Sequence, residues 1–518
     1  MKRLFCASFL VGILVAGPAV ADTPDTETIY LEHCAGCHGG DRLGGMGPAL
    51  LPENLGRLRK KAAHDVIANG RPATQMPAYG VKLDAAEIDA LVAMIYTPLP
   101  EVPRWGLEEI NDSHIQHVDA ATLPKEPLHK ADPMNLFVVV EGGDHHVTIM
   151  DGDSFEPLAR FPTPFALHGG AKFSPDGRFT YLASRDGWVM KYDLHSLQVV
   201  AEIRAGINTR NIAVSGDGRY IAVANYLPQN LVMLDTADLK PLKIIPIKSL
   251  QGKSSRVSAV YSANPRKSFV VALKDVPEMW EVSYEDDPPA RFAGFVHSFE
   301  KDHEEAIVAA EFPVRRIELS GPLDDFFFDQ AYRHVFGASR DGTQAVVVHM
   351  DVGREIAQVP LPGMPHLGSG ITFDYQGRRV LATPHLKEGK VSVIDMKSWE
   401  VVKVIDTEGP GFFMRSHENS PYAWVDVFFG PNKDAIHIIE KRSLEIVKTL
   451  RPVPGKTAAH IEYTKDGRYA LLSIWEMDGA VIVYDMETLE EVRRIPFVKP
   501  VGKYNVWNKI SRDEGTSH

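Results

Sequence analysis

From Asn135 onward the chain repeats one unit: an apolar stretch, a Gly turn followed by Arg, a short β-rich strand, a second turn and a strand ending near Asp. Clear copies are Phe173-Ser174-Pro175-Asp176-Gly177-Arg178 leading to Tyr192-Asp193, and Ser215-Gly216-Asp217-Gly218-Arg219-Tyr220 leading to Leu234-Asp235. Asp374-Tyr375-Gln376-Gly377-Arg378 leads to Ile394-Asp395, and Thr464-Lys465-Asp466-Gly467-Arg468-Tyr469 to Tyr484-Asp485. Weaker copies begin near Leu136, Tyr261, Ala331 and His417. A spacing of roughly 40 to 50 residues is the period of propeller blades, each of which buries its apolar faces against its neighbours. The eight units predict an all-β eight-bladed propeller over residues 135–518. The stretch from Tyr284 to Arg316 is long and poor in the pattern, so seven regular blades with an irregular eighth is the nearest competing count.

The start of the chain is of another kind. Met1, Lys2 and Arg3 precede an almost unbroken apolar run from Leu4 to Val20, closing on Ala19-Val20-Ala21. A charged start, an apolar core and an A-x-A site predict a secretory signal over residues 1–21, and hence export to the periplasm. No other stretch reaches the ~18 apolar residues that span a bilayer, so no membrane span is expected. Removing the signal removes Cys6 and leaves only Cys34 and Cys37, too few and too close for a disulfide framework. The formal net charge of −12 is spread along the chain, which argues against nucleic acid as a partner.

Those two cysteines stand in His33-Cys34-Ala35-Gly36-Cys37-His38, the C-x-x-C-H spacing of covalent haem c attachment. Two thiols on one helical turn reach the two vinyl groups while His38 reaches the iron. A redox dithiol or half of a zinc site leaves the following His unexplained. For the sixth ligand the chain offers Met46 and Met76, and the Met76-Pro77 pair resembles the axial-ligand loop of class I cytochromes c. Met46 precedes Gly47-Pro48, which resembles the loop whose Pro carbonyl orients the ligating His. Helices are expected over Asp25 to Leu31 and over Asp84 to Ile95, the latter with an Asp cap, Glu87 at its third position and Ile88, Leu91, Val92 and Ile95 along one face. A small all-α cytochrome c domain over 22–97 is followed by a linker over 98–134 that lacks sustained periodicity and packs along the next domain.

A cytochrome c module followed by an eight-bladed propeller resembles the cytochrome cd1 nitrite reductases and their relatives in haem d1 biosynthesis, over essentially the whole chain after residue 21. The resemblance implies that the propeller channel holds non-covalent haem d1 or dihydro-haem d1. It places an iron ligand at His168, in Ala166-Leu167-His168-Gly169-Gly170, and carboxylate-pairing arginines at Arg210 and Arg256. Of the two histidines that protonate nitrite in the reductases, one is matched by His366 in Pro365-His366-Leu367-Gly368. The other falls in Pro322 to Phe328, where this chain has Asp324 and Asp325 and no His.

Two further stretches, Ala458-Ala459-His460-Ile461-Glu462-Tyr463 and Gly502-Lys503-Tyr504-Asn505-Val506-Trp507, resemble the dihydro-haem d1 dehydrogenase group of that family. That likeness implies an oxidoreductase that converts a propionate side chain of a tetrapyrrole substrate to an acrylate and passes electrons to the c haem. The expected roles are His168 and His460 on the haem d1 iron, His366 as catalytic base, and Tyr504, Asn225 and Tyr226 in the pocket. Expected partners are a periplasmic electron acceptor and the cd1 nitrite reductase that would receive haem d1. A cytochrome cd1 nitrite reductase and a non-catalytic haem d1 carrier stay open as alternatives.

Overall fold

The structure is a computed structural model that describes residues 25–45, 47–56, 58–71, 76–101, 103–164, 166–289, 292, 295–298, 303–306, 311–339 and 342–511. The expected signal, Cys6 and Met46 lie outside these residues. Among the described residues no helix is long and apolar enough to cross a membrane.

The described residues from 25 to 97 form helices Thr26–His33, Ala35–His38, Pro52–Leu55, Lys60–Asn69 and Ala85–Ile95, joined by loops. The last begins as its sequence dictates: Asp84 accepts from the Glu87 backbone at 2.9 Å, and the Glu87 carboxylate accepts from the Asp84 backbone at 2.8 Å. Its Ile88, Leu91, Val92 and Ile95 are buried against Tyr30, Leu55, Ala63 and Ile67.

Eight antiparallel sheets of four or five strands then follow around a ring, so the propeller has eight blades. Blade 1 begins at Leu136–Glu141, and blades 2 to 8 at Lys172–Phe173, Asn208–Val214, Val257–Ala263, Leu323–Phe328, Ile371–Tyr375, Met414–Ser416 and Ala458–Tyr463. The ring is closed by the C-terminal strand Pro500–Asn505, which pairs with Leu136–Glu141 inside blade 1. The irregular stretch belongs to blade 4, where a hairpin of Phe295–Ser298 and His303–Ala306 interrupts the run between its third and fourth strands.

The repeated turn has a common hydrogen-bond set. Gly177, Gly218 and Gly467 all have φ near +74°, a conformation that favours glycine. Before each, a hydroxyl binds the turn Asp and receives the next strand's N–H: Ser215 Oγ donates to Asp217 at 2.6 Å and accepts from Tyr220 N at 2.9 Å. Thr464 does the same with Asp466 and Tyr469. In blade 2 the turn Arg178 then pairs with Asp193 at the end of the third strand, at 2.9 Å, which explains the spacing of Arg and Asp in the unit.

The linker is more ordered than its lack of periodicity suggests. Helix Leu107–Asp112 buries Ile110 completely, and Ile115–Gln116 pairs with Glu202 and Ala201 as a fifth strand on blade 2. Both elements are too short for a periodic signal. The cytochrome docks on the same side through buried Ala49 and Leu51 against Ile207 and Leu227, and through Asn54 and Asn208, which donate to the Ile207 and Glu53 carbonyls at 2.9 Å each.

Candidate functional site

At the cytochrome site, half-buried Cys34 caps the junction between helices Thr26–His33 and Ala35–His38, and half-buried Cys37 lies on the second. Burial, and then Cys37, push the Cys34 thiol up to about 11. His38 is buried, and its Nδ1 donates to the Pro48 carbonyl at 2.8 Å, so Nε2 is the nitrogen presented for ligation. Gly47 lies so close to the imidazole that a Cβ there would fall 2.8 Å from Cε1, which explains the glycine. Met76 is half-buried in the same apolar cluster as Cys34. Two thiols, one carbonyl-oriented imidazole and a thioether against an apolar cluster fit a covalently held haem c.

The propeller axis holds a cavity of about 650 Å³ whose wall includes His168, Arg210, Asp325, His366, His460 and Tyr504. His168 and His366 occupy equivalent places in blades 2 and 6. Each lies two residues after a left-handed residue, Ala166 or Met364, and one after a residue that bridges the neighbouring strand, Leu167 to Ser184 or Pro365 to His385. In an eight-membered ring, blades 2 and 6 face each other across the channel. Both Nδ1 atoms donate to backbone carbonyls, His168 to Arg210 at 2.7 Å and His366 to Phe412 at 2.5 Å. That bond fixes the tautomer that leaves Nε2 to bind a metal. In this state Arg185 Nη2 stands 2.8 Å from His168 Nε2.

His460 is held differently. It is the extra residue of a bulge on the first strand of blade 8, with φ at +56°, and the bulge turns its ring toward the channel. Its backbone N–H reaches Asp426 at 3.4 Å, and its carbonyl accepts from Lys503. The ring packs edge-on against Phe413 and Tyr504, and its Nδ1 is buried with no hydrogen-bond partner among the described residues. Burial first, then Lys503, Lys509 and Arg415, hold its proton affinity well below the usual imidazole range, so it is neutral at pH 7. Asp426 ties the two histidines together, because its carboxylate also accepts from Phe412 N at 2.7 Å and Phe413 N at 3.0 Å. Burial pushes that carboxyl up to about 7.

Three expected pocket residues do not line this cavity. Asn225 is fully buried and committed elsewhere: it accepts from Thr209 Oγ1 at 2.5 Å and donates to the Ala205 carbonyl and to Asn230, each at 2.9 Å. The Asn225 assignment is therefore corrected to a structural one, at the bulge of blade 3. The Arg256 fork is engaged by Asp275 at 2.6 and 2.9 Å. Tyr226 has Arg256 and Lys274 over its ring, 5.5 and 5.3 Å from the centroid.

Several wall residues lie outside the expected set of site residues. Arg415 and Glu462 form a buried ion pair at 2.7 Å, and Lys172 and Lys509 bring two more cations to the wall. Burial pulls Lys172 down to about 8. Asp325 accepts from the Tyr261 hydroxyl at 2.9 Å and from Gly368 N at 3.0 Å. Lys172, Asp325, Arg415 and Glu462 lie in four different blades and Lys509 on the short helix Val506–Ile510, so only closing the ring brings them together.

With a haem-attachment module and a cation-rich, histidine-walled channel in place, the molecule is defined as a c-type cytochrome fused to a tetrapyrrole-binding propeller. The family model described as "Cytochrome D1 heme domain" matches residues 131–509, and the model "Cytochrome C oxidase, cbb3-type, subunit III" matches residues 21–95. The chain belongs to the cytochrome d1 haem domain family. It is 54% identical over 508 residues to the dihydro-heme d1 dehydrogenase of Pseudomonas aeruginosa, covering 98% of this chain and 99% of that one. It is 25% identical to a nitrite reductase of Stutzerimonas stutzeri, covering 99% and 98%. The solved structure of the dihydro-heme d1 dehydrogenase NirN in complex with DHE superposes with a TM-score of 0.88 at 55% identity, covering 94% of this chain and 99% of that one.

Proposed function

We propose that this chain is a dihydro-haem d1 dehydrogenase, exported to the periplasm, that oxidises one propionate side chain of a tetrapyrrole to an acrylate. The observation that carries the reading is the pair of carbonyl-oriented imidazoles, His168 and His366, on opposite blades of one cavity. Imidazoles on both faces of a substrate iron leave no position for nitrite, and Asp325 puts a carboxylate where the reductases protonate their anion. Full-length similarity to a named dehydrogenase supports the same conclusion.

The geometry favours exchanging two of the expected roles. His366 has the ligand's tautomer-fixing bond, whereas His460 has a neutral, buried Nδ1 with no partner among the described residues, as a base requires. His168 and His366 thus hold the substrate iron, and His460, with Tyr504 against its ring, takes the proton from the CH2-CH2 unit. Arg210, with Lys172 and Lys509, supplies positive charge for the substrate carboxylates, and a carboxylate also gives Arg185 a partner as it turns away from His168 Nε2. Asp426 keeps both roles in register by holding Phe412, Phe413 and His460 through their backbone N–H groups. Cys34 and Cys37 hold haem c with His38 and Met76 on its iron, where it supplies a one-electron acceptor. A periplasmic electron carrier then removes each electron, and the cd1 nitrite reductase is the consumer of the product.

The test is a pair of single substitutions, each loaded anaerobically with dihydro-haem d1. His366→Ala should open the iron to cyanide, seen as a spectral shift, while His460→Ala should leave the spectrum intact and abolish propionate oxidation, read as loss of two hydrogens by mass. The reverse pattern would restore His460 as ligand and His366 as base. Nitrite turnover as fast as pigment oxidation would sink the dehydrogenase reading itself.

A further inference from the structure

The oxidation of CH2-CH2 to CH=CH releases two protons and two electrons. Each electron reduces one ferric haem c to the ferrous state, and a one-electron acceptor outside the molecule must reoxidise it between the two. The electrons therefore have to cross from the propeller to the cytochrome twice per turnover.

One continuous chain of hydrogen bonds and peptide units joins the histidine of the first centre to a histidine of the second. Starting in the cytochrome, the His38 carbonyl accepts from Gly44 N at 2.8 Å, and the preceding carbonyl, Leu43, accepts from Arg204 Nη2. Arg204 Nε donates to the Asp186 carbonyl at 2.8 Å. The adjoining Arg185 carbonyl accepts from Thr209 N at 2.9 Å, and the next residue, Arg210, carries the carbonyl that receives His168 Nδ1 at 2.7 Å. Between the His38 carbonyl and the Arg210 carbonyl, Arg204 is the one residue that contributes its side chain, through two hydrogen bonds. Arg204 supplies both side-chain bonds at the crossing, the one to Leu43 spanning the two domains and the one to Asp186 lying within blade 2.

Arg204 is built into this place. It is 4% exposed, its guanidinium lies 4.6 Å from the Trp105 ring, and Trp105 Nε1 donates to its carbonyl at 2.9 Å. Docking of the domains does not depend on it, because the Ala49, Leu51, Ile207 and Leu227 cluster and the Asn54 and Asn208 bonds lie beside it. We propose that Arg204 is the positioning residue of the electron route between the tetrapyrrole site and haem c. Tunnelling decays faster across a gap than along bonds and hydrogen bonds, so its side chain controls the rate at which the centres exchange electrons. The proposal rests on the dehydrogenase reading only in the direction of flow.

The experiment uses the full-length holoprotein carrying haem c, loaded with haem d1. A photoreductant injects one electron at haem c, and its equilibration with the bound tetrapyrrole is followed by absorbance, which requires no turnover. Arg204→Met should slow equilibration roughly tenfold, with the haem c potential and the tetrapyrrole spectrum unchanged, and Arg204→Lys, which restores one donor, should recover part of the rate. Equilibration at the wild-type rate in Arg204→Met, or a slowing matched by a shifted potential, would overturn the route. A wild-type protein that equilibrates fast but oxidises no dihydro-haem d1 would instead sink the dehydrogenase reading and leave the route standing.

Discussion

The two histidine-bearing sites of this molecule are built in opposite ways. Around haem c, both thiols and the first iron ligand sit within five consecutive residues, Cys34 to His38, and a loop carbonyl ten residues on orients the imidazole. In the propeller, His168, His366 and His460 come from blades 2, 6 and 8, nearly 300 residues apart at the extremes, and meet only because Pro500–Asn505 closes the ring. A local site survives as long as its own turn survives. A site gathered around an axis depends on every joint of the ring, and on buried charges that hold the joints in register.

The largest effect expected is therefore a local one with no distant echo. Replacing Cys34 and Cys37 together by Ala should abolish covalent haem, shown by mass measurement after denaturation, while the propeller still binds haem d1 with its normal spectrum. Loss of tetrapyrrole binding in that variant would mean that the two sites are not separable. Next comes the buried pair at the axis, Arg415 with Glu462, exposed 5% and 1%. Glu462→Gln leaves the Arg415 charge buried without its carboxylate, which costs about 3–5 kcal/mol. Denaturant unfolding followed by tryptophan fluorescence should show that loss in the propeller, and a shift under ~1 kcal/mol would mean that water or Asn508 compensates the charge.

The same contrast governs what could be read without a structure. C-x-x-C-H needs no fold to be recognised, since its spacing is the chemistry, and the cap at Asp84 and the Asp-Gly turns are equally local. The blade count followed from turns that repeat one hydrogen-bond set. Reading the propeller site was harder. The likeness to a known family pointed to His168, His366, His460 and Tyr504, all of which reach the cavity wall, but residue identity alone could not divide ligand from base. That division rests on which Nδ1 meets a carbonyl and on a bulge at His460, and neither is written in the local pattern. Asn225 lies away from the cavity wall for a related reason: a polar residue near a channel in sequence has its partners chosen by the neighbouring backbone and strands, here Thr209 and Asn230. The linker's helix and edge strand were invisible because six and two residues carry no period.

The smallest expected effect gives the sharpest measure of how independent the two regions are. Asp84→Ala removes the capping box of helix Ala85–Ile95, whose buried face packs in the same cluster as Met76. The cap is solvent-exposed, so the loss should be about 1 kcal/mol. If the cytochrome unfolds as its own unit, that loss lowers the temperature at which the thioether-to-iron absorption band of a Met76-ligated haem disappears, and leaves the propeller's fluorescence transition where it was. If both transitions fall together, the docking contacts of Asn54, Asn208 and Ile207 make one cooperative unit of the two domains, and a cap facing solvent on one side is felt across the ring on the other. Heating the variant with both signals recorded on one sample distinguishes the cases, because a local site and a gathered site can share a melting temperature only if the interface between them is stronger than the cap that was removed.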